Sequence, residues 1–214
     1  VKRYPDLHLE MAFRDRGLAF VAGIDEAGRG AWAGPVAAGA VILPLDRHDL
    51  LQALEGVRDS KTCTPRQRAQ FAERIQQTAT AFGVAFASAD EIDAMGIAPA
   101  TRLAMRRAIE SLSPPPQALL IDYVRLRELQ LPQQRLPRGE DHSLSIAAAS
   151  ILAKVARDTL LVELDVQYPG YGFARHKGYG TLVHQGALKE LGVSAVHRRS
   201  FAPVRLRLNG ITEV

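Results

Sequence analysis

Apolar and polar positions fall in blocks along the chain, and the blocks predict an α/β fold. Residues 18–25, "LAFVAGID", read as a buried strand. Residues 34–43, "GPVAAGAVIL", read as a second, built largely of small residues and closed by Pro44. The loop between them is short and glycine-rich, which predicts a hairpin. "AFGVAFASA" (81–89) predicts a third strand. "ALLIDYV" (118–124) predicts another after the rigid "SPPPQ", and a short strand is expected near Gln134–Leu136. Helical patterns lie between these runs. Thr64 and Pro65 supply an N-cap and a first-turn proline, so a helix opens there. "ADEIDAMGIAPATRLAMRRAIESL" predicts one or two helices, interrupted near Gly96 and Pro99. The longest helical pattern is "SLSIAAASILAKVARDTLLVELDVQYP", which Ser143 or Ser145 can cap. Ile146, Ala149, Ala153 and Ala156 or Leu160 give it one face of mostly small residues. A Gly/Tyr-rich basic loop, "YPGYGFARHKGYGT", precedes a last helix in "LVHQGALKELG". Three early strands followed by alternating helices and strands predict a sandwich on a mixed sheet.

The chain has 214 residues, 47% of them apolar, enough for one ordinary core. The expected organisation is a polar N-terminal segment over 1–17, a main domain over 18–205 and a tail over 206–214. The triple proline reads as a loop within that domain. Net charge is +4, a modest excess that suits a polyanionic partner. Cys63 is the single cysteine, so an internal disulfide is excluded and a reducing compartment is expected. No run approaches the roughly 20 apolar residues of a membrane helix. The first residues, "VKRYPDLHLEMAFRDRG", are too charged for a signal peptide. A soluble cytoplasmic chain with no membrane role is the expectation.

The chemistry concentrates in acids. Asp25 and Glu26 end the first strand, Asp122 lies near the end of "ALLIDYV", and Glu140 and Asp141 precede the long helix. If the strands carrying Asp25 and Asp122 are neighbours, the two acids meet, and the helix start can bring Glu140 or Asp141 to the same point. Such a set suits a hard divalent cation that keeps several waters, and paired cations suit phosphodiester cleavage. Acids at strand ends also occur simply solvated or as helix caps. Two adjacent acids directly after an apolar strand are costly unless paired or metal-bound.

Other stretches carry weaker signals. Gly28-Arg29-Gly30 allows close backbone approach to a phosphate; an ordinary turn with a solvated arginine has the same pattern. It matches neither G-x-x-x-x-G-K-[ST] nor G-x-G-x-x-G, so a nucleotide cofactor is not supported. Asp59-Ser60-Lys61 offers a hydroxyl and a cation for phosphate contact, or is a solvated loop. Arg175, His176, Lys177 and Tyr179 interleave bases with an aromatic, as single-strand grooves do, or form a surface loop with locally packed tyrosines. Lys154 and Arg157 face either solvent or a phosphate. His176 and His197 lack zinc-site spacing, and no G-x-S-x-G is present.

Taken together, "GIDEAGRG", "AGPV", "DSK", "IDY", "SLSIAAASILAKVARD", "YPGYGFARHKGYGT" and "HRRSFAPV" resemble the ribonuclease HII family, in that family's order and across residues 21–204. The resemblance implies an RNase H-like fold with a central five-stranded mixed sheet and a C-terminal helical region. It implies endonucleolytic cleavage of RNA in RNA–DNA hybrids and incision 5′ of a single ribonucleotide in duplex DNA, leaving 3′-hydroxyl and 5′-phosphate ends. Mg²⁺ or Mn²⁺ would be the cofactor, and the setting ribonucleotide excision repair and DNA replication. Asp25, Glu26 and Asp122 match the first three metal-site carboxylates. Gly28, Arg29 and Gly30 match the loop that reads the 2′-hydroxyl, the group that separates RNA from DNA. Ser60, Lys61, Lys154, His176 and Lys177 are the expected substrate contacts. Tyr179 matches the tyrosine that stacks at the ribonucleotide junction, with Tyr168 or Tyr171 as alternatives. A monomer is expected, and the sequence names no protein recruiter.

Three positions depart from the family pattern. The fourth carboxylate is usually Asp, eight residues before "AAS"; here that position is Glu140, with Asp141 beside it. The related ribonuclease HIII family carries Glu there. Tyr123 replaces a usual glycine, and Ala31-Trp32 replaces a proline and an aliphatic, with Trp32 either packed under the loop or offering stacking surface. Two other classes remain open from sequence. One is a different nuclease or strand-transfer enzyme on the same fold, without an HIII-type N-terminal extension in view, between which substrate choice decides. The other is a non-catalytic hybrid-binding protein, against which the intact carboxylates argue.

Overall fold

The computed structural model describes residues 4–208. One mixed sheet contains β1 (Val21–Ala27), β2 (Val36–Ile42), β3 (Ala81–Ala87), β4 (Ala118–Asp122) and β5 (Gln133–Leu136), in the spatial order β3-β2-β1-β4-β5. β1 and β2 form the expected antiparallel hairpin, Ala22 opposite Ile42 and Ala27 opposite Ala37. On its other side β1 runs parallel to β4, with Ile24 opposite Ile121. The next residues along these two strands are Asp25 and Asp122, so the expected neighbourhood of the two acids is present.

The helices, in chain order, are α1 (His8–Arg14), α2 (Leu50–Ala53), α3 (Pro65–Thr78), α4 (Ala89–Met95), α5 (Ile97–Glu110), α6 (Leu144–Gln167), α7 (Phe173–His176), α8 (Leu182–Leu191) and α9 (Ala202–Leu208). α5 packs on one sheet face, through Ala22, Ile24, Leu119 and Ile121. α6 and α3 pack on the other, through Val41, Ala148, Ile151 and Ile75. β1 is covered on both faces, which is why its sequence is a continuous apolar run rather than an alternation. No helix among the described residues is long and apolar enough to cross a membrane.

α6 comes unusually close to the sheet. A Cβ added at Gly23 would lie 2.1 Å from the Ser145 carbonyl carbon, and one at Gly39 would lie 2.3 Å from the Ala149 oxygen. Glycine on the strands and alanine on the helix allow this contact, and it places the start of α6 against β1. The buried face differs from the expected one beyond Ala153. It continues through Arg157 and Leu161, both fully buried, while Ala156 and Leu160 are half-buried.

Boundaries shift in ways that matter for the site. β1 begins at Val21 and runs to Ala27, so Asp25 and Glu26 lie within the strand. β4 stops at Asp122 because Tyr123 turns into the left-handed region, φ 55°. A non-glycine residue there carries a steric cost on the order of 1 kcal/mol, a cost that the glycine expected here from the family resemblance would avoid. The stretch after β3 is two helices, split at Gly96 with φ 86°. Ser88 and Thr64 both close capping boxes, and Ser143 rather than Ser145 caps α6. The basic loop at 168–181 contains the short helix α7.

The expected polar segment over 1–17 is integrated, so far as its described residues go. Glu10 is fully buried, and its Oε1 accepts hydrogen bonds from the Ser143 and Ser145 hydroxyls and the Ser145 amide. Residues 206–208 complete α9; the rest of the expected tail lies outside the described residues.

Candidate active site

The carboxyl ends of β1 and β4 and the turn before α6 converge. Asp25 is 4% exposed and Glu140 5%. Asp25 accepts the Glu26 amide at 2.7 Å, and Asp122 accepts the Gly139 amide at 2.8 Å. The second bond ties β4 to the Gly139–Asp141 turn and so sets where Glu140 stands. Glu26 accepts from Arg29 at 3.2 Å, and Lys61 Nζ lies 3.5 Å from Glu140 Oε1. Asp141 turns away and pairs with Arg138 at 2.5 Å. Glu26 Oε2 and Glu140 Oε2 are buried without a hydrogen-bond partner among the described residues.

Burial, then the charges of Glu26, Asp122 and Glu140, push Asp25 well above the ordinary carboxylate range. Burial also raises Glu26, against the pull of Arg29, and raises Glu140. These groups are poised to accept positive charge. The donor set is all oxygen, two of its atoms are orphaned, and its members repel one another, which fits hard divalent cations that retain waters. Among the described residues no three of these side chains already close around one point.

The Gly28-Arg29-Gly30 loop beside the acids is held from below. Arg198 is fully buried and donates to the carbonyls of Gly34 at 2.9 Å, Arg29 at 2.8 Å and Gly28 at 2.8 Å. Arg157, also fully buried, donates to Pro35, Lys177 and Ala33 carbonyls. It joins the loop to the basic segment after α7. A Cβ at Gly28 (φ 89°) would lie 1.9 Å from Arg157 Nε, whereas one at Gly30 would meet nothing within 4 Å. The amides of Arg29 and Gly30 have no acceptor among the described residues.

Other expected contacts divide between groove and interior. Tyr179 is 38% exposed, with Arg157 5.7 Å and Lys154 6.0 Å from its ring centre. Tyr171 is buried and its hydroxyl donates to Gly192 at 3.0 Å; Tyr168 packs beside it. Lys154, Arg175, Lys177 and Tyr179 line one groove with Arg68 and Asp158. Lys154 is paired with Asp158 at 2.7 Å, and burial lowers its pKa. Ser60 turns inward, its hydroxyl bound to Ser150 at 2.8 Å. The ring of His176 is buried too: Nε2 donates to the Tyr171 carbonyl at 2.7 Å and Nδ1 accepts the Gly178 amide at 3.2 Å. Neither side chain is free to bind a phosphate in this arrangement. Arg157 faces neither solvent nor an open phosphate site. Trp32 packs over Gly180 and beside His184, 5.7 Å between ring centres, so it supports the loop.

Sequence reasoning passed over Arg198 and the inward role of Arg157. Arg157 carried a signal, four residues after Ala153 on the small-residue face. Arg198 carried little beyond its place in "HRRSFAPV".

Three histidines stack beneath this loop. His184 Nδ1 donates to the Tyr179 carbonyl, so its Nε2 accepts from His197 Nε2 at 3.0 Å; His197 Nδ1 then accepts from Ser194. This chain of bonds requires both rings neutral, and burial lowers each to about 4. The unfolded chain binds protons on these rings from the usual 6.5 downward. Stability is therefore present above pH 6.5 and lost as pH falls toward 4, by about 3 kcal/mol for one ring. The acidic cluster acts with the opposite sign. The fall in melting temperature from pH 7 to pH 4.5 is accordingly expected to shrink in His197→Gln relative to wild type. An unchanged difference would show that these rings do not titrate with folding.

The ribonuclease HII family model matches residues 22–204. A ribonuclease HII from Chloroflexus aurantiacus is 52% identical over 200 residues, 94% of each chain. The RNase HII in a solved PCNA:RNase HII complex from Archaeoglobus fulgidus is 26% identical, with TM-score 0.71 over 85% of this chain and 95% of that one. The ribonuclease H2 of Pyrococcus horikoshii, at 24% identity, shares the fold, with TM-score 0.74 over 91% and 99%. A match across nearly the whole chain, on a sheet whose acids and glycine loop meet at one end, leaves one assignment: the chain belongs to the ribonuclease HII family of hydrolytic endonucleases.

Proposed function

We propose that the chain cleaves the RNA strand of RNA–DNA hybrids and incises 5′ of single ribonucleotides in duplex DNA, leaving 3′-hydroxyl and 5′-phosphate ends. The observation that carries this reading is the junction of two devices. Four acids, Asp25, Glu26, Asp122 and Glu140, lie directly beside a loop whose Gly30 is open to a ligand backbone.

Asp25, Glu26, Asp122 and Glu140 would hold Mg²⁺ or Mn²⁺. The chemistry such ions supply when bound is a water of lowered pKa and charge compensation at the departing 3′ oxygen. The chain's own residues do the rest. Lys61 stands where a phosphate approaches Glu140, and Arg29 donates to Glu26, favouring its ionised form against the larger effect of burial. Arg198 holds the Gly28 and Arg29 carbonyls and Arg157 packs against Gly28, so the free amides of the loop can read a 2′-hydroxyl with little reorganisation. Tyr179, flanked by two cations, offers a ring face at the junction, and Lys154 and Lys177 line its groove. The same reading has the enzyme act as a monomer in the cytoplasm.

The test is cleavage of labelled duplex DNA carrying one ribonucleotide, beside all-DNA and all-RNA controls, in Mg²⁺ and in EDTA. One metal-dependent cut 5′ of the ribonucleotide is expected, with none in the controls. Cutting of long hybrids alone would remove the junction reading. Gly30→Ala separates recognition from folding. A methyl there meets nothing in the protein, so the melting temperature is expected within about 2 °C of wild type. Cleavage at a single ribonucleotide is expected to fall at least tenfold. Full activity would show that no backbone passes close to Gly30.

A further inference from the structure

On the side of the acids away from Tyr179, four arginines stand without partners. Arg125 and Arg127 lie on the segment after β4, Arg135 on β5 and Arg102 on α5. Together with Arg29 and Tyr123 they line a surface hollow of about 560 Å³. Among the described residues, none of the guanidinium groups of Arg102, Arg125, Arg127 and Arg135 hydrogen-bonds within the chain or lies within 4.0 Å of a carboxylate. Glu128 is the one acid lining the hollow. Several other arginines in the fold are occupied, Arg107 with Glu91, Arg47 with Asp49 and Arg74 with the Ala53 carbonyl; what sets these four apart is that they gather around one hollow.

Four guanidinium groups around one hollow repel one another, and no folding contact offsets that. A polyanion would. The strand pleat places the hollow relative to the site. Ile24 and Ile121 point to the α5 face, so Glu26, two residues past Ile24, points there too, while Asp25 points to the α6 face. The acids therefore straddle the sheet end. The groove with Lys154, Lys177 and Tyr179 lies on the α6 side, and the arginine hollow on the α5 side, bordered by Arg29. Tyr123, 64% exposed, stands between Asp122 and the arginines.

We propose that this arginine rim binds the phosphodiester backbone of the substrate duplex beyond the scissile position, extending the footprint across the sheet end. Guanidinium forks suit phosphate oxygens, and among the described residues Glu128, the acid at the hollow, is not ion-paired with any of them. The proposal rests on the nuclease reading above.

The test is anisotropy binding of a 30-base-pair duplex with one ribonucleotide, in EDTA, over a KCl series. Each phosphate neutralised contributes about 0.9 to the slope of log K against log salt. In R125A/R127A/R135A the slope is expected to fall by about 2–3, with weaker binding at every salt and the loss of turnover appearing in KM. R125K/R127K/R135K should restore the slope, because counterion release counts charge. R16A/R47A, which removes charge at the opposite end of β1 and β2, should leave it unchanged. An unaltered slope in the alanine variant overturns the rim, as does a lysine variant that loses as much as the alanine one. Wild-type cleavage of the same duplex in Mg²⁺ is scored separately. If it fails, the nuclease reading fails; if it succeeds while the variants match wild type, the rim alone fails.

Discussion

Asp25→Asn is expected to abolish cleavage and, in metal-free buffer, to raise the melting temperature. Asp25 is 4% exposed and faces three other acids. Burial and like charge hold its ionised form at high cost when no cation is present. Asparagine keeps an oxygen to accept the Glu26 amide and removes the charge. A gain of about 1–3 kcal/mol follows, or about 2–12 °C for a chain of this size. The sign with pH is definite. Asp25 has a folded pKa above its unfolded one, so its ionisation destabilises at high pH, and the penalty disappears as pH falls through the raised value. The variant's advantage should therefore be largest near pH 8 and close in acid. Mg²⁺ should stabilise wild type and leave the variant nearly unmoved, narrowing the gap. Cleavage should fall on the order of 10³-fold or more, about 4 kcal/mol of transition-state stabilisation. Calorimetry in EDTA and in Mg²⁺, beside the cleavage assay, checks each part. A variant less stable than wild type in EDTA at pH 8 would show that Asp25 is not under electrostatic load.

Arg198→Lys is expected to cost about 2–4 kcal/mol, a fall of about 4–16 °C, and to blur the discrimination between ribose and deoxyribose. The guanidinium reaches three carbonyls on two segments at once. Lysine keeps the charge but presents one ammonium, which cannot span Gly34, Arg29 and Gly28 together. Buried carbonyls are then left unpaired, which is where most of the cost arises. Arg198 is fully buried beneath the loop, so it acts on substrate only through the Gly28–Gly30 backbone. The ratio of cleavage at a ribonucleotide to cleavage of a long hybrid should drop, because the long hybrid depends less on reading one hydroxyl. Equal losses on both substrates would mark Arg198 as a fold residue without a positioning role.

The limits of sequence reading follow the range of the forces involved. The meeting of Asp25 and Asp122 was legible because both acids sit at strand ends, and the parallel pairing of β1 with β4 brings them together. The choice of Glu140 over Asp141 followed from counting along a motif; the geometry that supports it, Asp141 paired with Arg138 and Glu140 turned inward, depends on the bond from Gly139 to Asp122 across 17 residues. Ser60 and His176 looked like ligand contacts because a hydroxyl or imidazole on a basic loop has the same appearance either way. Their inward bonds, to Ser150 and Tyr171, decide the matter. Arg198 was missed because its partners lie 164 to 170 residues away.

The amino-acid pattern alone determined the order of strands and helices, the capped starts of α3 and α6, and which residue types gather at the carboxyl ends of β1 and β4. These are local matters of periodicity, capping and composition. Tertiary structure decided which cations are spent on the fold and which stay free. Arg157 and Arg198 are buried on carbonyls, whereas among the described residues the guanidinium groups of Arg102, Arg125, Arg127 and Arg135 are left unpaired around one hollow. An arginine's role is set by the acceptors within reach of its guanidinium, and those arrive from distant parts of the chain.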